Sequence, residues 1–296
     1  MLVAHYPVMA HEAISSLNLK PGYTVIDATV GGGGHSLDMI RQIEPGGRLI
    51  GVDADPAALK NSEETLKDFK RSLILVHDNF RNLDKIIGET GIDKIDAVLF
   101  DIGVSSFQLD TADRGFSLKL DAALDMRMDP GVGKSASDLI NTIREKDLAD
   151  IIWKFGEERY SRKIARFIVE ARERKRIETT GELADVVRRA AGARYRKQRI
   201  DPATRTFQAI RIAVNDELGA LEEGIKKAVG MLNEGGRIAV IAFHSLEDRI
   251  VKNIFRLYAK EGTVRIITKK PLRPSASEVA ANPRSRSARL RVAEKA

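Results

Sequence analysis

The 296-residue chain contains no cysteine. This excludes disulfides, thiolate metal sites and any cysteine nucleophile, including one that would attack a pyrimidine ring covalently. Long apolar runs are also missing. The longest, such as Ile238 to Phe243, are strand-sized, and the N-terminus lacks the basic-then-apolar pattern of a signal peptide. No transmembrane helix is therefore expected, and a cytoplasmic location is the default expectation. The five histidines, His5, His11, His35, His77 and His244, have no metal-ligand spacing, so no metal site is expected. What is present, 43% hydrophobic and 31% charged residues without a low-complexity tract, is the profile of a folded globular protein. The length allows one large domain or two of ordinary size.

The net charge of +7 is unevenly placed. Residues 1–156 carry net −7 (17 basic, 24 acidic) and 157–201 carry +6 (14 and 8). Residues 202–264 carry +1 (9 and 8), and 265–296 carry +7 (9 and 2). An acidic body with two basic stretches favours a polyanionic partner, because clustered Lys and Arg bind phosphates and release counterions. The competing reading is solvated helix faces and a basic tail.

From Thr24 to Gly103, short apolar runs alternate with amphipathic stretches. Strands are predicted at Thr24 to Thr29, Arg48 to Asp53, Leu73 to Val76 and Asp96 to Asp101, with helices between them. That rhythm is the mark of a parallel sheet wrapped by helices. It stops after Val104. Residues 114–205 read as a helical insertion, with helices at Lys146 to Phe155, Arg159 to Arg174 and Gly181 to Ala190, and helix starts near Ser135 and Thr180. One long helix, Thr206 to Leu232, is predicted to end at Glu234-Gly235-Gly236. A strand at Arg237 to Phe243, a helix at Leu246 to Lys260, and strands at Thr263 to Thr268 and Ala288 to Ala293 complete about seven strands. The last two form an antiparallel pair joined by a long loop, 269–286. The expected division is a discontinuous α/β domain, 1–113 with 206–296, and a helical domain, 114–205.

The first strand runs directly into Gly31-Gly32-Gly33-Gly34-His35-Ser36, where a backbone without side chains can turn sharply and approach a ligand at a strand's carboxyl end. The dinucleotide fingerprint G-x-G-x-x-G fails in both frames, since its third glycine falls on Ser36 or Leu37. Asp53 closes the second strand, where a carboxylate can accept hydrogen bonds from the ribose of a nucleoside cofactor. The fourth strand ends at Asp101, followed by Ile102-Gly103-Val104-Ser105-Ser106, again at the ligand-binding edge. Two further segments look too specific for plain scaffold, Asp113 to Ser117 and Leu124 to Pro130. Their bland reading is a charged loop with paired side chains.

Nine ordered motifs resemble those of the bacterial MraW or RsmH methyltransferase family, which modifies the exocyclic N4 of a cytidine in small-subunit (16S) ribosomal RNA. They are His5 to Met9, Gly31 to Ser36, Asp101 to Ser106, Arg114 to Ser117, Leu124 to Pro130, Gly156 to Arg159, Pro202 to Ala209, Phe243 to Arg249 and Asn282 to Ser287. The resemblance implies a class I S-adenosylmethionine-dependent methyltransferase fold, Rossmann-like, with an inserted helical, substrate-recognising domain. It places cofactor contacts at Gly33, Gly34, His35, Asp53, Phe80, Asp101 and Gln108. Phe80 could instead be a core residue, and His35 a cap on its turn.

Asp101, or the backbone carbonyls of Ile102 to Ser105, is expected to accept a hydrogen bond from the target amine and help its proton leave. Many DNA amino-methyltransferases carry a D-P-P-Y-like turn here; this chain does not, which moves base stacking to Phe107 or Phe116. Candidate RNA contacts are Arg194, Arg196, Lys197, Arg199, Arg205, Arg284 and Arg286, some of which could form internal salt bridges instead. Small-subunit ribosomal RNA, within the small subunit, is the expected partner. The rival readings are a dinucleotide-dependent oxidoreductase, disfavoured by the missing glycine, and a noncatalytic RNA-binding assembly factor, which would not need Gly33, Asp53 and Asp101 together.

Overall fold

The computed structural model describes residues 7–192 and 201–296. The chain divides into two compact units, one running to Gly103 and resuming over Leu218–Ala296, the other spanning Val104–Glu217. The second unit is wider than the expected 114–205 at both ends.

The first unit begins with α1 (Ala10–Leu17), β1 (Thr24–Asp27), α2 (Gly34–Ile43), β2 (Arg48–Asp53), α3 (Pro56–Thr65), β3 (Leu73–His77), α4 (Leu83–Thr90) and β4 (Ile95–Asp101). The second contains α5 (Ser106–Asp110), α6 (Ala136–Thr142), α7 (Glu145–Gly156), α8 (Ser161–Arg174), α9 (Thr180–Ala191) and α10 (Ala203–Asn215). The first unit resumes through α11 (Glu217–Met231), β5 (Leu232–Ala242), α12 (Ser245–Lys260), β6 (Val264–Ile266), α13 (Ala276–Ala281) and β7 (Arg289–Lys295).

The sheet has seven strands in the order β3-β2-β1-β4-β5-β7-β6. β1 pairs in parallel with both β2 and β4, and β4 with β5, whereas β7 runs antiparallel to β5 and β6. Strand order reverses between β1 and β4, so the carboxyl ends of these strands flank the crevice where open α/β sheets bind ligands. Ala97, Val98, Leu99 and Phe100 of β4 are all fully buried, as a central parallel strand covered by helices on both faces requires.

Three sequence expectations need correction. The single helix over 206–232 is two, because Asp216 adopts a left-handed conformation (φ 45°) between α10 and α11. Half-buried Arg211 and buried Glu217 clamp that break with a two-pronged ion pair, 2.8 Å at each contact. Gly235-Gly236 does not end the helix but lies inside β5, at a register shift between Ile95↔Leu232 and Ala97↔Arg237. Gly235 takes φ 75° there, and a Cβ on Gly236 would sit 2.8 Å from the Asn233 carbonyl, so glycine permits the bulge. The 269–286 connection is not bare loop, since it holds α13, capped by Ser275.

Within the second unit, Leu148, Ile152, Ile164, Ile168, Leu183, Val187 and Ile210 meet in one core. Ser135 and Thr179 start α6 and α9 with capping boxes, so the second start lies one residue before the expected Thr180. The two segments set apart by sequence are tied together. Arg114 Nη2 donates to the carbonyls of Arg127 (3.0 Å) and Met128 (2.9 Å). Asn215 donates to the Met126 carbonyl (2.7 Å) and accepts from the Met128 N–H (2.7 Å). Met126 is held at φ 61°, a conformation a non-glycine residue keeps only when its surroundings over-determine it.

Candidate active site

The glycine loop joins β1 to α2, and three of its four glycines are required by the fold itself. Gly31 (φ 52°) and Gly33 (φ 83°) take left-handed conformations. A Cβ on Gly34 would lie 2.9 Å from the Pro7 ring, whereas one on Gly32 would meet nothing within 4 Å. The loop backbone is pinned from below: Gly31 N–H donates to Asp53 Oδ2 (2.8 Å), and Thr65 Oγ1 donates to the Gly32 carbonyl (2.8 Å). Asp53 also accepts from the Asp55 N–H through Oδ1 (2.9 Å). Each of its oxygens therefore has one lone pair engaged and one to spare. Burial pushes the Asp53 carboxyl up to about 6, against the pull of these two backbone donors.

A second acid lies beneath the loop. Asp27, at the end of β1, is fully buried, accepts from Ser36 Oγ (2.7 Å) and the Thr29 N–H (3.2 Å), and is pushed upward by burial. Sequence reasoning passed over it, although an acid closing a strand directly before a glycine loop was the available signal. Thr29 in turn accepts the Asp101 N–H on its Oγ1 (2.8 Å), tying the ends of β1 and β4 together.

His35, in the first turn of α2, is buried, and its Nε2 lies 3.4 Å from Asp101 Oδ2. Burial pulls the imidazole down, but the Asp101 carboxylate, with Asp27 and Asp38 behind it, outweighs burial and leaves the net direction upward. Among the described residues, the buried Asp101 Oδ1 and both ring nitrogens of His35 have no hydrogen-bond partner. Buried polar atoms are nearly always satisfied, so unpaired ones at a sheet's ligand edge point to a bound molecule. Three unpaired polar atoms, two spare Asp53 lone pairs and the open space at Gly32 fit a polar nucleoside cofactor.

Phe80 follows β3 in a single turn of 3-10 helix, 80–82. Its ring packs edge-to-face on Phe100, 5.5 Å between centroids at 83°, which fixes its orientation without fully burying it. Gly224 of α11 leaves room for that ring, since a Cβ there would lie 2.9 Å from Phe80 Cδ2 and 3.1 Å from the Phe80 carbonyl. We expect Gly224→Ala to displace Phe80 and weaken S-adenosylmethionine binding several-fold by calorimetry. Unchanged affinity would detach Phe80 from the cofactor.

Gly33, Gly34, His35, Asp53, Phe80 and Asp101 all belong to the first unit, whereas Gln108 belongs to the second. There Gln108 is buried in a capping box, its Oε1 accepting the Ser105 N–H (3.0 Å) and its N–H donating to Ser105 Oγ (3.1 Å). Of the two stacking candidates, Phe116 is a core residue of the second unit, 8% exposed with Arg114 over its ring, while Phe107 is 44% exposed. Arg205 lies 3.6 Å from the fully buried Glu158, so its charge is shared within the unit. Arg284 and Arg286 are exposed, and Arg194, Arg196, Lys197 and Arg199 lie outside the described residues. Among the described residues, no helix is long and apolar enough to cross a membrane.

The strand order, the antiparallel β7 and the glycine loop at the end of β1 define a class I S-adenosylmethionine-dependent methyltransferase fold. The model of the MraW methylase family matches residues 2–296, and the chain belongs to that family. Curated relatives named ribosomal RNA small subunit methyltransferase H are similar along their whole length. The Geotalea uraniireducens protein is 50% identical, with 98% of each chain covered. That of Geobacter sulfurreducens is 48% identical with 100% of each covered, and that of Clostridioides difficile 48% with 98%. Among solved structures, an rRNA methylase from Streptococcus thermophilus aligns with a TM-score of 0.47 at 12% identity, covering 100% of this chain and 99% of that one.

Proposed function

We propose that the chain transfers the methyl group of S-adenosylmethionine to the exocyclic N4 of a cytidine in small-subunit (16S) ribosomal RNA, acting in the cytoplasm. The unpartnered Asp101 Oδ1 carries this reading, because it is a buried proton acceptor held at the end of β4 with no internal task. S-adenosylmethionine supplies an already activated methyl group, so the chain's work is to position the amine and take up its proton.

The amine of cytosine is a poor nucleophile, its lone pair being delocalised into the ring. A carboxylate accepting one N–H polarises it toward attack, and that N–H proton passes to Asp101 Oδ1 as the carbon–nitrogen bond replaces the donor's methyl carbon–sulfur bond, whose electron pair stays on sulfur. Asp101 Oδ2 lies 3.4 Å from His35 Nε2 and the Asp101 backbone N–H is accepted by Thr29, whereas Oδ1 has no hydrogen-bond partner. The Asp53 carboxylate, on its loop anchors, receives the ribose hydroxyls of the cofactor. Gly33, Gly34 and His35 form the wall beside it, and Phe80 offers a ring to the adenine.

The second unit recognises the RNA. Exposed Phe107, six residues beyond Asp101 in the chain, stacks on the target base. The basic residues of 194–205 with Arg284 and Arg286 hold phosphates. In cells lacking this protein, small-subunit RNA should lose one N4-methylcytidine by nucleoside mass spectrometry, and this chain should restore it. Loss of no methyl group from any ribosomal RNA would overturn the substrate assignment.

A further inference from the structure

The chain has one tryptophan, Trp153, and it is 59% exposed on α7. Tryptophan is among the most buried residue types on average, so a ring more than half in water has no packing reason to be there. Seven residues on, across the turn into α8, Tyr160 is 45% exposed. Around Tyr160 the chain reads Arg159, Arg162, Lys163 and Arg166, all exposed, at the three- and four-residue spacing that places them along one side of a helix. No acidic residue falls in the first turn of α8. Among the described residues, Arg159, Arg162 and Lys163 make no ion pair, while Arg166 reaches Glu170 at 3.6 Å. Cations gathered in the first turns of a helix oppose its dipole, so this arrangement costs stability rather than adding it.

We infer that this α7–α8 corner is a docking surface for single-stranded RNA, with Trp153 and Tyr160 stacking on bases and the α8 cations holding the backbone. Interleaved aromatic rings and cations are the composition that single-stranded nucleic acid selects, since every base has a face to stack and every linkage a charge. Asp150 and Glu157, one turn to either side of Trp153 on its own side of the corner, repel phosphate there. Phosphates are thereby directed to α8 and bases to the Trp153 ring. The surface lies wholly within the second unit, and Arg205 borders it through Glu158, which lies 3.6 Å from Arg205 and accepts the Tyr160 N–H at 2.9 Å. The inference rests on the reading of ribosomal RNA as substrate.

The lone tryptophan reports directly on this surface. Titrating the full chain with single-stranded oligocytidylate should quench its fluorescence at the concentrations where binding is seen by filter retention, and duplex RNA should quench less. Trp153→Ala and Tyr160→Ala should each weaken binding of a small-subunit RNA transcript about tenfold. R162E/K163E should reduce the slope of log K against log salt by about one or more. Melting temperature and S-adenosylmethionine affinity should stay at wild-type values in all three variants. Wild-type RNA binding and methylation, but with unquenched tryptophan and unchanged variants, would overturn this surface and leave the substrate reading standing. Failure of the wild-type chain to bind RNA would overturn both. Binding of the corner to anionic phosphatidylglycerol vesicles, without RNA binding, would assign it to a membrane instead.

Discussion

Asp101→Ala should lower methyl transfer by roughly 10²- to 10⁴-fold, the range associated with removing a positioned general base, while the protein still folds. The expectation of folding rests on how Asp101 is held. Its backbone N–H, which Thr29 accepts, survives the substitution, and its side chain takes no part in the core. What is lost is Oδ1, the unpaired acceptor, and Oδ2, the partner of His35 Nε2 at 3.4 Å. Asp101→Asn provides the sharper comparison, since an amide oxygen can still accept a hydrogen bond but cannot take up the proton. Single-turnover transfer should therefore fall in both variants, with the asparagine enzyme between wild type and alanine. Melting temperature should hold in both. Near-normal turnover with intact cofactor binding would rule out the proposed role.

His35 ties that experiment to a second readout. The imidazole is held above its ordinary value by Asp101 in spite of burial, so removing the carboxylate should let it fall. Imidazole resonances in the cofactor-free protein would follow this directly.

Asp53→Ala should raise the dissociation constant for S-adenosylmethionine by about 100-fold, the equivalent of two charge-assisted hydrogen bonds at the lower end of their range. It removes the ribose acceptor and also strands the N–H groups of Gly31 and Asp55, which both donate to it. The wild-type protein carries a pH signature of the same residue. Burial sets the Asp53 carboxyl at about 6, well above a free aspartate. Only the ionised form has both oxygens ready to accept, so affinity should be flat above pH 7 and about tenfold lower at pH 5. Stability of the cofactor-free protein should respond with the opposite sign. A carboxyl raised in the folded state costs stability while ionised, and protonation relieves that cost as pH falls from about 6 toward the unfolded value near 4. Calorimetric titrations across this window, with Asp53→Asn as the pH-insensitive control, separate the two effects. Cofactor affinity independent of pH between 5 and 7 would contradict the assignment of Asp53 to the ribose.

The sequence by itself determined the parallel half of the sheet, because a strand buried on both faces must be a continuous apolar run, and four such runs stand between Thr24 and Asp101. It also located Gly31 to Gly34, Asp53 and Asp101, since a ligand edge needs glycines where backbone meets ligand and acids where strands end. The helix break at Asp216 and the bulge at Gly235 escaped it. Both depend on long-range partners, the Arg211–Glu217 clamp and the Asp96 backbone, that local propensity does not register. Phe107 and Phe116 look alike in the chain, and only packing made one a core residue and left the other exposed. Tertiary structure alone brought Asp27, His35 and Asp101 together from β1, α2 and β4 and left Oδ1 of Asp101 unpaired. Pairing and burial are properties of what surrounds an atom, and those surroundings come from strands far apart in the chain.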